Sequence, residues 1–253
     1  MGSRLDIPVL WIVRHGQSAG NVARDEAEAT GRTMIDIAGR DMDVPLSDLG
    51  VRQSRSLARW IGDLPASERP TVVLHSPYER ARQTAQFIVD GCNRGGSVLQ
   101  RCDERLREKE FGILDRLTIQ GIAQLHPALS AQRAHVGKFY FRPPGGESWC
   151  DVILRLRSLW DTALLDHAGE RVLIVAHQVT VLCMRYLIER LDEAQILAID
   201  RQGDVPNCSV TRYETASPDV GGMVLRLASF VAPLEDSGTQ VTREPDAPVA
   251  PKA

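Results

Sequence analysis

The chain has 253 residues, 43% hydrophobic and 25% charged, and its 30 basic against 33 acidic side chains leave a formal charge of −3. That composition supports a substantial core, while the near-balance of charge excludes the basic surface that nucleic acid or an anionic membrane would require. Five cysteines, Cys92, Cys102, Cys150, Cys183 and Cys208, lack C-x-x-C spacing, which argues against a disulfide framework or zinc cluster and suits a reducing compartment.

The opening MGSRLDIPVL has no long apolar core or cleavage site, and Asp6 stands where a myristoylation signal has Ser or Thr. With no apolar run of membrane-spanning length, a soluble cytoplasmic protein is expected. VLWIV then reads as a strand, short, rich in β-branched residues and almost continuously apolar, as strands buried on both faces are. It runs into RHGQSAGN, where two motifs overlap. Gly16-Gln17-Ser18-Ala19-Gly20 is a G-x-S-x-G pattern that would make Ser18 a nucleophile, and Arg14-His15-Gly16 would give that role to His15.

Residues 22–44 are polar and read as an irregular insertion near the site, with its acidic residues forming a solvated face. LSDLGVRQSRSLARWIG follows as a helix with Ser47 as N-cap, buried Leu49, Leu57, Trp60 and Ile61, and exposed Arg52, Arg55 and Arg59. TVVL is a second strand, ending at His75-Ser76. SPYERARQTAQFIVDG is a helix capped by Ser76, with Pro77 in its first turn and Gly91 at its end. Residues 114–144 form a second insertion with one helix around Ile119 to Leu125. DVILRLRSLWDTALLDHAG is a helix stopping at Gly169, and RVLIVA is a third strand, ending at His177-Gln178. From Pro233 the chain is proline-rich, polar and aperiodic, so a domain over 4–232 and a disordered tail over 233–253 are expected.

Strands alternating with helices predict an α/β fold with a mainly parallel sheet and right-handed crossovers. Ligands of such sheets bind beyond the carboxyl ends of the strands. The residues closing the three runs, His15, Ser76 to Arg80, and His177, are therefore predicted to meet in one crevice.

A serine-esterase elbow needs an oxyanion loop from an earlier strand, and here nothing upstream of the first strand can supply one. Phosphoryl transfer fits better. A neutral imidazole is a good nucleophile when its other nitrogen is fixed by a hydrogen bond. Charge stabilisation by cations and donors carries most of the rest. Arg14, Arg80, His177 and helix N-termini provide them, and a carboxylic acid would protonate the leaving oxygen and then activate water.

RHGQSAGN, SPYERARQTA, LREKEFG, PPGGES and VAHQVT, in this order, with PLSDLGVRQ and NCSVTRYE, resemble the histidine phosphatase superfamily in its phosphoglycerate-mutase-like branch. The resemblance runs from about Val9 to Tyr213. It implies a three-layer α/β/α sandwich, a phosphorylated nucleophile at His15, and a phosphate pocket completed by Arg14, Arg80 and His177. It further implies Asn21, Ser18 and Gln178 as phosphate or substrate contacts, Glu108 as the acid, and no metal or other cofactor. Glu110, Asp103, Glu104 and Glu147 are chemically adequate alternatives for the acid; the bracket from Leu106 to Gly112 favours Glu108. After EFG the family often carries a Trp-Glu-Gly-like segment, whereas this chain reads ILDRLT, so one wall of the pocket differs.

His75 is read as structural, and His126, His135 and His167 have no metal-ligand spacing. Mutases of the family carry longer basic insertions whose motifs are not recognisable between Glu108 and Pro143. The expected activity is hydrolysis of a small phosphomonoester. The alternatives are a phosphoglycerate-type phosphomutase and a phosphate-binding module without catalysis. Sequence leaves the oligomeric state open.

Overall fold

The computed structural model describes residues 7–93, 97–162, 165–216 and 222–243. Among them the elements run β1 Val9–Arg14, α1 Ala19–Ala29, α2 Asp48–Asp63, β2 Val72–His75, α3 Glu79–Cys92, β3 Leu99–Cys102, α4 Ile119–Leu125, α5 Pro127–Val136 and α6 Trp149–Asp161. They continue as β4 Arg171–Ala176, α7 Gln178–Ile188, α8 Glu193–Gln202, β5 Val210–Thr215, β6 Met223–Phe230 and α9 Ala232–Glu235.

The strands form one sheet in the order β3-β2-β4-β1-β5-β6. β3, β2, β4 and β1 are mutually parallel, and β5 is antiparallel to both its neighbours. The chain leaves β1, crosses to β2 and β3, and returns through β4 into the gap between β2 and β1. That return makes the carboxyl ends of β1 and β4 the switch point, where crevices open in such sheets.

Alternation along the strands explains the layering. Leu10 and Ile12 of β1, Val72 and Leu74 of β2, and Val172 and Ile174 of β4 pack with Trp149, Leu156 and Leu159 of α6 and Val181 to Met184 of α7. Trp11, Val13, Val73, Leu173 and Val175 face the other way, onto Leu57 and Ile61 of α2 and Ala81, Ala85 and Ile88 of α3. The result is the expected α/β/α sandwich. No helix among the described residues is long and apolar enough to cross a membrane.

Several local expectations are corrected. The first insertion is not irregular throughout, since α1 continues to Ala29 before a 3-10 turn at Asp41–Asp43. α3 begins at Glu79 rather than beside Ser76, because the Ser76 hydroxyl accepts from Tyr78 N two residues on (3.2 Å) and holds a separate turn. α6 starts at Trp149, capped by Ser148, and ends at Asp161 instead of running to Gly169.

The tail does not lose structure at Pro233. α9 buries Pro233 and Leu234, and Leu234 joins the cluster containing Leu57 of α2. Gln53 Nε2 donates to Gln240 O and Thr242 Oγ1, both at 2.9 Å, while Thr242 Oγ1 donates to Asn207 Oδ1 at 2.9 Å. Pro233, Leu234 and Val241 and a set of side-chain hydrogen bonds hold this segment, and neither leaves a periodic signal. Residues 244–253 of the expected tail lie outside the described residues.

Candidate active site

β1 and β4 end side by side, with Arg14 opposite Ala176 and His15 N donating to Ala176 O at 2.9 Å. The residues after them, His15 and His177, therefore emerge together, their rings in edge contact with centroids 5.0 Å apart. The carbonyls at the end of β1 are also satisfied. Cys208 N donates to Arg14 O at 3.0 Å, and Asn207 Nδ2 donates to His15 O at 3.0 Å. The strand end is thus fixed from both sides.

The His15 ring has one assignable tautomer. Its Nδ1 lies 2.7 Å from Gly16 O, and a carbonyl only accepts, so Nδ1 carries the proton and Nε2 the lone pair. Arg80 Nε donates toward that lone pair at 3.3 Å. Burial first, then the charges of Arg80 and Arg14, hold the His15 pKa well below 6.5, against the raising effect of the Gly16 bond. The ring is accordingly neutral at physiological pH, with the Nε2 lone pair a nucleophile requires.

His177 is set for the opposite task. Ser76 Oγ already accepts from Tyr78 N, and it lies 2.8 Å from His177 Nε2. When the hydroxyl gives its one proton to Nε2, the ring proton is on Nδ1, which is buried without a partner. Nδ1–H is then a donor awaiting an acceptor. Burial, followed by Arg80 and His15, keeps the His177 pKa well below 6.5. The Tyr78 ring packs edge-on against His177, centroids 5.0 Å apart, and beneath the Arg80 guanidinium at 4.9 Å.

Two buried guanidiniums complete the cluster. Arg14 is 1% exposed, and its Nη1 donates to Val205 O. Arg80, in the first turn of α3, is 5% exposed and pairs with Asp41 of the first insertion, Nη2 to Oδ2 at 3.0 Å. Asp41 is thus no part of a solvated face.

The five acid candidates separate by environment. Burial raises the Glu108 pKa to about 7, opposed by a 2.8 Å bond from Lys109 N and by the charges of Arg80, Arg14 and Arg155. Glu147 accepts from Arg107 and Arg155 at 2.7 and 2.9 Å, and those bonds hold it below the usual carboxylate range in spite of its burial. Asp103 caps its own turn and pairs with Arg105, with the same result. The Glu110 side chain is 48% exposed and accepts from Tyr78 OH at 3.0 Å. Glu104 is exposed. Glu108 thus has a buried carboxyl group raised toward neutrality that feels the charges of both site arginines.

Ser18 and Asn21 form a capping box at the start of α1. Asn21 N donates to Ser18 Oγ at 3.0 Å, and Ser18 N donates to Asn21 Oδ1 at 2.7 Å. This accounts for the serine of G-x-S-x-G as a helix cap 2% exposed. Gln178 opens α7; its Nε2 donates to Asp204 Oδ1 at 2.9 Å, and its Oε1 is buried without a partner. Sequence reasoning missed Ser76 as the orienter of His177, Asn207 as the brace of His15, Tyr78 and Asp41. Arg155 was missed too; it donates to Glu108 O at 3.2 Å. Ser76, Tyr78 and Asn207 stood inside motifs that carry the resemblance; Asp41 and Arg155 did not. Among the described residues no group of three or more His, Cys, Asp or Glu side chains is arranged to hold a metal ion.

A family model for the histidine phosphatase superfamily (branch 1) matches residues 10–220. The chain belongs to this superfamily. Along 228 residues this histidine phosphatase superfamily member is 27% identical to the protein named "Probable phosphoglycerate mutase GpmB" of Yersinia pestis (strain Pestoides F), covering 89% of this chain and 94% of the relative. Among solved structures it is similar to the native mycobacterial glucosyl-3-phosphoglycerate phosphatase. That match has a TM-score of 0.66 and 25% identity, and covers 88% of this chain and 99% of the other. The alpha-ribazole phosphatase of Shigella flexneri shares the fold at a TM-score of 0.65 and 21% identity, over 88% and 98% of the two chains.

Proposed function

We propose that the protein hydrolyses a small phosphomonoester through a phosphohistidine on His15. The observation that carries this reading is the bond from His15 Nδ1 to Gly16 O, which leaves the Nε2 lone pair facing Arg80. Nε2 attacks phosphorus and the bond from phosphorus to the ester oxygen breaks. The Glu108 proton passes to that oxygen as the alcohol leaves. Glu108, now a carboxylate, takes a proton from water; the water oxygen attacks phosphorus, the N–P bond breaks, and phosphate departs with His15 neutral again. Arg14, Arg80 and His177 Nδ1–H meet the charge on the phosphoryl oxygens throughout. Gln178 Oε1 is suited to accept from a substrate hydroxyl, and Asn21 and Ser18, in the first turn after the His15 loop, are further candidate contacts. The five cysteines, all free thiols, fit a cytoplasmic setting.

The test is chemical. With p-nitrophenyl phosphate, the wild-type protein is expected to turn over and, after a rapid quench, to carry acid-labile phosphate. His15→Ala should lose both, with a fall in kcat of at least about 10⁴-fold, while its fold is kept. Phosphate binding without turnover or phosphohistidine would replace the enzyme with a binding module. The mutase name of the Yersinia relative supports a second reading, transfer of phosphate between positions of phosphoglycerate. Positional transfer faster than release of inorganic phosphate would favour it over hydrolysis.

A further inference from the structure

The contacts of Arg80 carry an inference about the first insertion, and it rests on the phosphoryl-transfer reading above. A guanidinium presents two edges to an anion: the end-on edge between Nη1 and Nη2, and the side-on edge formed by Nε–H and the neighbouring Nη2–H. Asp41 takes the end-on edge with both carboxylate oxygens, Nη1 to Oδ1 at 3.1 Å and Nη2 to Oδ2 at 3.0 Å. The outer Nη1 proton goes to the Asp41 carbonyl at 2.7 Å. The donors left over are Nε–H and one Nη2–H, both on the side-on edge. It is this edge that meets the reacting histidine, since Nε lies 3.3 Å from His15 Nε2. Two anions can therefore share Arg80, one on each edge, without competing for a proton.

We propose that Asp41 is a positioning residue for the reaction: it clamps the far edge of Arg80 so that the near edge is held on the phosphoryl oxygens at His15. The side chain of Arg80 is 6% exposed and that of Asp41 38% exposed, so the insertion reaches in from the rim of the crevice. A flexible side chain with four torsions would otherwise have to order its guanidinium at each turnover, and misplacement of a charge-stabilising donor by about 1 Å costs on the order of 10²-fold. The 3-10 turn Asp41–Asp43 in turn fixes the clamp, with Val44 N donating to Asp41 O at 3.2 Å and Arg40 pairing with Asp43.

The experiment compares wild type, Asp41→Ala, Asp41→Glu, Arg80→Ala and the Asp41→Ala/Arg80→Ala double variant in two assays. One is hydrolysis of p-nitrophenyl phosphate; the other is calorimetric binding of orthovanadate, whose geometry resembles the transferring phosphoryl group. Asp41→Ala should lower kcat by about 10–100-fold with little change in KM, and weaken orthovanadate by a similar factor. Asp41→Glu should recover part of both, and removing Asp41 from the Arg80→Ala background should change neither. Wild-type kcat in Asp41→Ala would overturn the proposal. So would tighter orthovanadate binding, which would make Asp41 a competing anion, or an equal loss in the Arg80→Ala background, which would make its role structural. Absence of turnover in the wild type would count against the hydrolase reading alone, with orthovanadate binding by the same five proteins still deciding the role of Asp41.

Discussion

The two histidines of the site are suited to opposite chemistry toward a phosphate. Gly16 O occupies the His15 proton and leaves a lone pair to react. With the Ser76 hydroxyl proton on Nε2, His177 keeps an Nδ1–H to donate. In the proposed reaction Glu108 supplies the remaining proton, and its pKa of about 7 gives that reaction a pH dependence with a definite sign. The acid is needed protonated, so with an alkyl phosphate, whose leaving oxygen requires a proton, kcat should be level below pH 7. Above it, kcat should fall by about tenfold per pH unit. p-Nitrophenyl phosphate, with its good leaving group, should show little of this limb. Glu108→Gln should slow the alkyl substrate by about 10²–10⁴-fold and flatten its alkaline limb. Glu110→Gln should preserve the limb, because that carboxylate is exposed and its bond is to Tyr78 OH. A limb abolished by Glu110→Gln would transfer the acid role there.

At the scale of elements, α2 is held against the segment after His15 by backbone on backbone. Ser47 N donates to Gln17 O at 2.9 Å, and a Cβ on Gly50 would sit 1.9 Å from that same oxygen. A Cβ on Gly16 would meet Gly50 O at 2.6 Å. Gly50→Ala should thus push α2 off the loop that carries the Nδ1 acceptor of His15. The expected cost is about 1–3 kcal/mol in chemical denaturation, with a loss of kcat larger than that of any exposed change on α2, such as Arg55→Ala. Unchanged stability would mean that the two backbones can separate freely. The glycine was visible in the sequence as part of PLSDLGVRQ, but its reason was not.

The same division holds across the fold. β1, β2 and β4 were legible because both their faces are buried, which leaves continuous apolar runs, and each run points to its site residue. α4 was expected around Ile119 to Leu125 and lies there, capped by Thr118. α1 was missed because only Asn21 and Ala27 are buried on it, and α5 because none of its residues is. β3 is an exposed edge strand with no face to bury. Of the candidate site, His15, Arg14, Arg80 and His177 lay at predictable strand and helix ends. Ser76, Asn207 and Asp41 act through single hydrogen bonds or ion pairs between segments far apart in sequence, and such contacts have no periodicity to read.

For the whole molecule, seating neutral imidazoles in the interior couples the site to stability. His15, His177 and His75 all have folded-state pKa values below 6.5, with burial as the first cause in each. As pH falls below 6.5 the unfolded chain binds protons at these positions before the folded chain does, so stability falls, for the strongly lowered His15 and His177 by up to about 1.4 kcal/mol per pH unit each. Glu108 works in the other direction. Its pKa is raised, so between about 7 and the ordinary carboxylate range the folded chain holds the extra proton and gains stability on acidification. The two strongly lowered imidazoles against one carboxyl leave a net loss of about 1.4 kcal/mol per pH unit, to which His75 adds above its own lowered pKa. The ion-paired carboxylates Glu147 and Asp103 lie below the usual range and lose their contribution only at lower pH, so they stay out of the balance between the histidines and Glu108 from pH 6.5 to 5. Urea unfolding across that interval should show the midpoint falling steadily. His15→Ala should make the slope shallower by about one proton, and Glu108→Gln should make it steeper. Stability that stays level from pH 6.5 to 5 in the wild type would mean that the imidazoles accept protons in place, and the neutral nucleophile at His15 would fail with it.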